Sequence, residues 1–524
     1  MAWTMNGLSF EIAPPAAAAD PNRVDVACFV GFVARRSTPL PGSVRAALAA
    51  AGWIGGPWAR PAEEIETLLQ VPVVVDSWNA FAALYDWAAR PVGSGTRRCA
   101  SYLGAAVRSF FANGGRRAVV VRCGDPWPYL EAAGGRAAQR AARLAALLAP
   151  AATPLDPTTW RGIGHLAGVP EVSFVCLPDL ADICAAEPAI VDVAVEAPDS
   201  PEVFVECSVD TAPAVEEDVG LRDLAPPRAD DAGFVAWRDA LGSAREQLAR
   251  RHREMLLLAA LPLPLRDARN AAAWAQADFL AYLDEAGLLA APDSSNGGRA
   301  LGSAFVQLAW PWLRTRFSSD LPGTLEPPDG LFAGVLAANA LARGTFRSVA
   351  GSRLPSVSGS EPVLSCSGIA ATPADRLAQR VCLVAPSPAG WVLHSDVSAS
   401  ADLAWRAGGV TRLLGALLRA ARRSGEAALF EASGPALWRR VEQGLGQLLT
   451  AFWREGGLGG ASPQEAFSVH CDRSTMSQND LDSGRLRAEI SILPLAAVER
   501  ITVVLDLTGG GVAAAASEPL REVA

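Results

Sequence analysis

His470-Cys471-Asp472 carries the residue types of a nucleophile, its base and the acid that orients the base. That chemistry needs Cys and His within hydrogen-bond reach. The run Phe467-Ser468-Val469 before them alternates, as a strand does, and consecutive strand side chains point to opposite faces. His470 and Cys471 therefore do not meet there. The other histidines, His165, His252 and His394, stand in unrelated contexts, and His252 reads as a surface residue. No HExxH, GxSxG or phosphate-loop pattern occurs. Asp179 and Asp182 follow an apolar run and invite a metal, but no third ligand accompanies them. Carboxylates are common where helices begin, and that reading is preferred. Asn113-Gly114-Gly115-Arg116 lacks the Lys and Ser/Thr of a phosphate cradle and reads as a helix C-cap. Nine cysteines are scattered: Cys28, Cys99, Cys123, Cys176, Cys184, Cys207, Cys366, Cys382 and Cys471. None forms a CxxC pair. Their odd number and apolar neighbours favour buried thiols in a reducing compartment, with structural zinc as the alternative. No catalytic, cofactor or metal residue is assigned.

The elements that would position such groups alternate between strands and helices. Residues 24–35 (VDVACFVGFVAR) form an apolar strand, and VPVVVDSW leads from a strand into a helix. Residues 102–111 are helical, with Leu103, Val107 and Phe110 on one face, and AVVVRC follows as a buried strand. A helix over 134–148, a strand over 170–180, a helix over 234–253, an apolar strand over 255–263 and a helix over 272–287 continue the pattern. Residues 353–361 read as a Ser/Pro/Gly linker and a domain boundary. The fold class is mixed α/β (α+β) with several domains. Half of the 524 residues are hydrophobic, enough for sizeable cores. The net charge is −9 and every basic residue is Arg. A nucleic-acid binder would show a basic domain with interleaved aromatics, so no nucleic-acid partner is expected. No run of eighteen apolar residues and no leader pattern occur, so cytoplasmic synthesis without membrane binding is expected.

The most informative stretch is 428–507. Ser433, Gly434 and Pro435 announce a helix whose Leu437, Val441, Leu445, Leu448, Leu449 and Phe452 share a face, and Gly456-Gly457 stops it. Arg439 and Arg440 lie on its opposite face. A polar loop and two β-rich runs follow, the second (498–507) composed like an edge strand.

This order resembles the C-terminal domain of contractile tail sheath proteins, those of phage tails and of phage-derived injection systems. The residues that carry the resemblance are Phe430-Glu431, Trp438, Gly456 to Gly460, Ala466-Phe467-Ser468-Val469-His470-Cys471-Asp472, Thr475-Met476-Ser477-Gln478-Asn479-Asp480, Gly484-Arg485-Leu486 and Leu493-Pro494-Leu495. Upstream, Asp76-Ser77-Trp78, Ala309-Trp310-Pro311-Trp312 and Pro327-Pro328-Asp329-Gly330 match in order. Ala432-Ser433 replaces the family's Pro-Asn, and an Arg-Thr pair usual near Trp391-Val392-Leu393 is missing.

The resemblance implies a layout: an extended arm (1–22), a sheath core (23–186 and 271–360) split by a variable outward region (187–270), a C-terminal sheath domain (361–507) and a flexible tail (508–524). It implies a structural subunit, not an enzyme, without cofactor. Copies would stack as rings and contract from a metastable extended state. Its partners would be other copies, an inner tube protein, and baseplate and terminal cap proteins, in a particle assembled in the cytoplasm and then released or membrane-attached. Strand exchange between copies would use Leu8, Phe10 and Ile12 of the arm and Ile501, Val503 and Leu505 near the end. Arg439, Arg440 and Arg454 would face the tube, with Arg419, Arg422 and Arg423 of a second basic helix (409–423) in reserve. The alternatives are a soluble α/β enzyme or another, baseplate-type, subunit of the same particle.

Overall fold

Strand β3, Ala27–Phe32, follows the terminal strands β1 (Ala2–Met5) and β2 (Leu8–Glu11), and is buried at every position. A strand covered on both faces reads as one apolar run, and this is the signature of a parallel sheet between helix layers. The computed structural model bears this out. It describes the chain except residues 1, 6–7, 12–22, 57, 152, 154, 189–219, 266–300, 365–376, 401, 429–433, 483–485, 496–500, 509–510 and 517–524. The expected helix at 272–287 and residues 189–219 and 266–270 of the variable region lie outside the described residues.

Eight strands form the main sheet. After β3 come β4 (Val73–Val75), β5 (Ala118–Gly124), β6 (Phe174–Cys176), β7 (Leu256–Ala260), β8 (Val306–Trp310), β9 (Val381–Ser387) and β10 (Gly390–Leu393). Their spatial order is β10-β9-β8-β7-β6-β3-β5-β4. From β9 to β5 all neighbours are parallel, and the two outer strands are antiparallel. Cys28 and Val30 of β3 pack in the layer that holds Trp237 and Leu241 of a long helix, Asp231–Arg251. Ala27 and Phe29 pack in the other, with Leu103 and Phe110 of helix α1 (Tyr102–Ala112) and Leu331 and Leu336 of Asp329–Arg343. The last two helices touch closely because Gly330 and Gly334 lack side chains: a Cβ on Gly330 would lie 2.4 Å from Ala106 Cα. Helix α1 ends as expected, with Asn113 as cap and Gly114 at φ 101°, a conformation that glycine adopts without strain.

A second core gathers around a helical pair, α2 (Gly408–Ala428) and α3 (Pro435–Arg454), and a four-stranded antiparallel sheet. Its strands, in spatial order, are β11 (Phe467–His470), β12 (Leu486–Ile492), β13 (Ile501–Thr508) and β14 (Gly511–Ala516).

Several expectations need correction. The 353–361 stretch is no linker: Val357–Glu361 pairs antiparallel with Trp312–Thr315. Backbone pairing is open to Ser and Gly as well as to apolar residues, so composition hid it. Strands β9 and β10, which fall within 361–507, belong to the main sheet, and the second core begins at Ala404. Within the 508–524 tail, β14 pairs with β13 over Thr508↔Gly511 to Val503↔Ala516. His252 is buried, 9% exposed.

Arginines join the two cores. Arg412 donates to both carboxylate oxygens of Asp396 at 2.8 and 2.7 Å, and to the carbonyls of Thr345 and Arg347. Asp396 also accepts from Val349 N–H and Gln307. Burial works to raise this carboxyl, but Arg412 holds it below its usual range. Arg419, 3% exposed, donates to the carbonyls of Arg23, Val172 and Glu254 and to Ser173 Oγ, and Arg422 pairs with Glu254 at 2.6 Å. Arg412, together with Arg419 and Arg422 of the reserve tube-facing set, thus pins α2 to the end of the main sheet.

Candidate functional site

The place to look first in an open α/β sheet is where strand order reverses, beyond the carboxyl ends of the strands. Here the chain leaves β3 toward β5, then returns to β6 on the other side of β3. The crevice between β3 and β6 is filled by the chain itself. Asp179, just after β6, accepts a hydrogen bond from Phe32 N–H at 2.7 Å with Oδ2. That oxygen sits 2.1 Å from where a Cβ on Gly31 would be, so only glycine fits at this strand end. Burial pushes the Asp179 carboxyl up to about 7, against hydrogen bonds from Phe32 and Leu103 N–H that pull it down. Leu103 lies in the first turn of α1, whose N-terminus carries partial positive charge. Asp179 therefore stands where a ligand's anionic group would.

Asp182 faces elsewhere. It accepts from Arg90 at 2.7 Å and Arg136 at 3.1 Å, both pairs fully enclosed. Burial works to raise its carboxyl, but the two guanidiniums hold it below its usual range. Arg90 lies over the rings of Tyr102, Trp127 and Tyr129 at 5.8, 5.2 and 5.2 Å. The two aspartates thus serve separate partners. No group of three or more His, Cys, Asp or Glu that could hold a metal occurs among the described residues.

His470 is exposed and Cys471 buried, as the alternation requires. Burial pushes the Cys471 thiol up to about 12, away from thiolate. Seven cysteines are free and buried, and Cys207 and Cys366 lie outside the described residues. His165 is enclosed near Trp53 and Trp160, and burial lowers it to about 3.

The surfaces named for assembly lie elsewhere. Helix α3 buries Leu437, Val441, Leu445 and Leu449, half-buries Leu448 and Phe452, and leaves Arg439, Arg440 and Arg454 exposed. Arg439 and Arg440 are adjacent, but Arg454 stands fourteen residues on, about 21 Å along the axis. They make a pair and an outlier, not one patch. Arg419 of the reserve set is buried and Arg422 and Arg423 are half-buried.

Ile501, Val503 and Leu505 lie on β13. Within this chain β13 is no edge: Ile492↔Ile501, Ile490↔Val503 and Ala488↔Leu505 pair on one side, and Val503↔Ala516 and Leu505↔Ala514 on the other. Ile501 is part of the second core. The outer strands are β11 and β14. At the other terminus β1 and β2 form a hairpin with Trp3↔Phe10 and Met5↔Leu8, and Ile12 lies outside the described residues.

One loop role was missed. Ser477 Oγ accepts from Asp480 N–H, and Asp480 Oδ2 accepts from Ser477 N–H and Oγ–H. This reciprocal cap starts helix Gln478–Asp482, and the S-x-x-D spacing could have shown it. Thr475 Oγ1 donates to the Arg487 carbonyl, tying the loop to β12, and Met476 is buried.

No protein-family model matches this chain, and no curated protein matches it. Solved structures do. A chain of the anti-feeding prophage (AFP) baseplate, six-fold symmetrised, is similar at 19% identity, with 95% of this chain and 96% of that one covered and a TM-score of 0.52. A chain of the AFP baseplate in its contracted state gives 19% identity, full coverage of both and 0.51. The AFP helical sheath in its contracted state gives 17%, 95% and 96%, and 0.50. The chain shares the fold of these three chains over nearly its whole length. No helix among the described residues is long and apolar enough to cross a membrane.

Proposed function

We propose that this chain is a structural subunit of the contractile sheath of a phage-tail-like particle. The carrying observation is the full-length fold likeness to the contracted helical sheath chain. The ordered residues from Ala466 to Leu495 agree with it. The filled crevice at the strand reversal supports a non-enzymatic role, since Asp179 occupies the position a ligand would take.

Copies link through backbone pairing. An outer strand carries unpaired N–H and C=O groups, and another chain's strand can satisfy them. The β1–β2 hairpin, with Leu8 and Phe10, is the donor at one end. The β13–β14 hairpin, with Ile501, Val503 and Leu505, is the element exchanged at the other, and β11 offers a receiving edge. Such links persist while the compact body turns, so contraction is a passage from an extended lattice to a denser one, driven by contacts between copies. Arg439 and Arg440 meet an inner tube through charge, with other copies, baseplate and cap proteins as further partners.

Two of the similar chains come from baseplates, which favours a second reading, a subunit confined to the baseplate end. Negative-stain electron microscopy of the purified, concentrated chain separates these. Long hollow tubes support the sheath; closed rings that never elongate support the baseplate; single particles at every concentration refute both.

A further inference from the structure

The long helix Asp231–Arg251 ends in Arg250-Arg251-His252-Arg253. Basic residues in a last turn suit the helix dipole, and that accounts for the arginines. It does not account for His252. This side chain is 11% exposed, and its Nδ1 has no close hydrogen bond but stands 3.7 Å from Glu254 Oε1 at ion-pair distance. The imidazole lines an open-sided cavity of about 100 Å³, room for more than one water-sized group. Its lining mixes apolar Ala151, Ile163, Leu166 and Leu248 with polar Gln247, Arg250, Arg251 and His252.

The charges around the cavity are unequal. Arg251 Nη1 donates to the Ala151 carbonyl and Gln247 to the Leu148 carbonyl, which fixes the rim. Arg250 stands 3.8 Å from Glu246, which lies equally far from Arg245. Arg253 donates to the Ala249 carbonyl. Glu254, beyond His252, is already engaged by Arg422 at 2.6 Å. Among the described residues the lining therefore has cationic groups and no carboxylate.

We propose that this cavity binds one small oxyanion, a carboxylate or a phosphate, held by His252, Arg250 and Arg251. The source is either a free ion or an acidic side chain of a second copy. With a net charge of −9 and an Ala214-Val215-Glu216-Glu217-Asp218 cluster, copies of this chain offer many carboxylates. An ion seated there also reaches helix α2, through His252, Glu254 and Arg422 in turn.

Inorganic phosphate is the first probe, titrated into the full chain at constant ionic strength, with thermal unfolding and the His252 ring proton resonances as readouts. A saturable rise in Tm with a shift of those resonances is expected. R250A/R251A, two exposed positions, should need at least tenfold more phosphate for the same rise, and H252N likewise. The second probe is a peptide of residues 213–220. Displacement of phosphate by the peptide identifies a protein carboxylate as the source, and binding of phosphate alone identifies a free ion. Identical titrations for the native chain and R250A/R251A, or a rise that never saturates, overturn the site.

Discussion

Asp179→Asn isolates the carboxyl that fills the crevice between β3 and β6. The amide keeps an oxygen for Phe32 N–H but cannot ionise. In the native chain burial holds this carboxyl at about 7, against an ordinary value of 3.8. The folded pKa is the raised one, so the carboxyl adds no penalty below pH 4, where both states are protonated. As pH climbs from about 4 to 7 the unfolded chain releases its proton first, and folding loses about 1.4 kcal/mol per pH unit. Above pH 7 the accumulated penalty is about 4 kcal/mol, an order-of-magnitude figure. Glu326 and Asp329, also buried and raised to about 7, act in the same direction in both proteins and cancel in the comparison. Urea unfolding of native chain and variant from pH 4 to 8 measures the difference. The variant should gain on the native chain steadily across that window and level off above it. Stability curves that run parallel from pH 4 to 8 would refute the reasoning and show Asp179 to be solvated.

Arg412→Met leaves the Asp396 carboxylate buried without its cation, and urea unfolding should show a loss of about 3–5 kcal/mol, because a broken buried pair costs more than its absence. Deleting residues 1–20 should leave a folded chain by circular dichroism that no longer forms tubes by electron microscopy; full-length tubes would remove the hairpin from the linkage. Replacing Arg439 and Arg440 by Glu reverses exposed contacts of about 0–1 kcal/mol each, summed over a lattice. Co-assembly with the tube protein should then give empty contracted sheath without tube-filled extended particles, and normal extended particles stable at raised salt would contradict the assignment.

Elements with strong periodicity were legible in the sequence. Helix α3 runs from Pro435 to Arg454 as its apolar spacing and its Gly stop demand, with four of six expected core positions fully buried. The continuous apolar run of β3 and the glycine cap after α1 were equally plain, because burial on both faces and a left-handed cap leave direct marks on composition. Val357–Glu361 and Gly511–Ala516 were not legible. Their Ser, Gly and Ala carry no period, and they are strands because of what they pair with. Nor could spacing reveal that Arg412 and Arg419 are buried. An arginine on the polar side of an amphipathic helix reads as solvated, yet Asp396, sixteen residues before Arg412, supplies its carboxylate, and Arg23 and Val172, hundreds of residues before Arg419, supply carbonyls. Asp179 stands at a helix start, before Leu180–Ile183, as preferred over a metal, but nothing in its spacing showed that it accepts from Phe32, 147 positions earlier.

Helical reconstruction by cryo-electron microscopy of the assembled chain tests the central claim most directly. The expected result is a hollow helical lattice in which the four-stranded sheet of each copy is continued by strands of its neighbours, with residues 2–11 or 501–516 crossing from one copy to the next. A lattice whose copies meet only through side chains, with both terminal hairpins folded on their own chain, would contradict it.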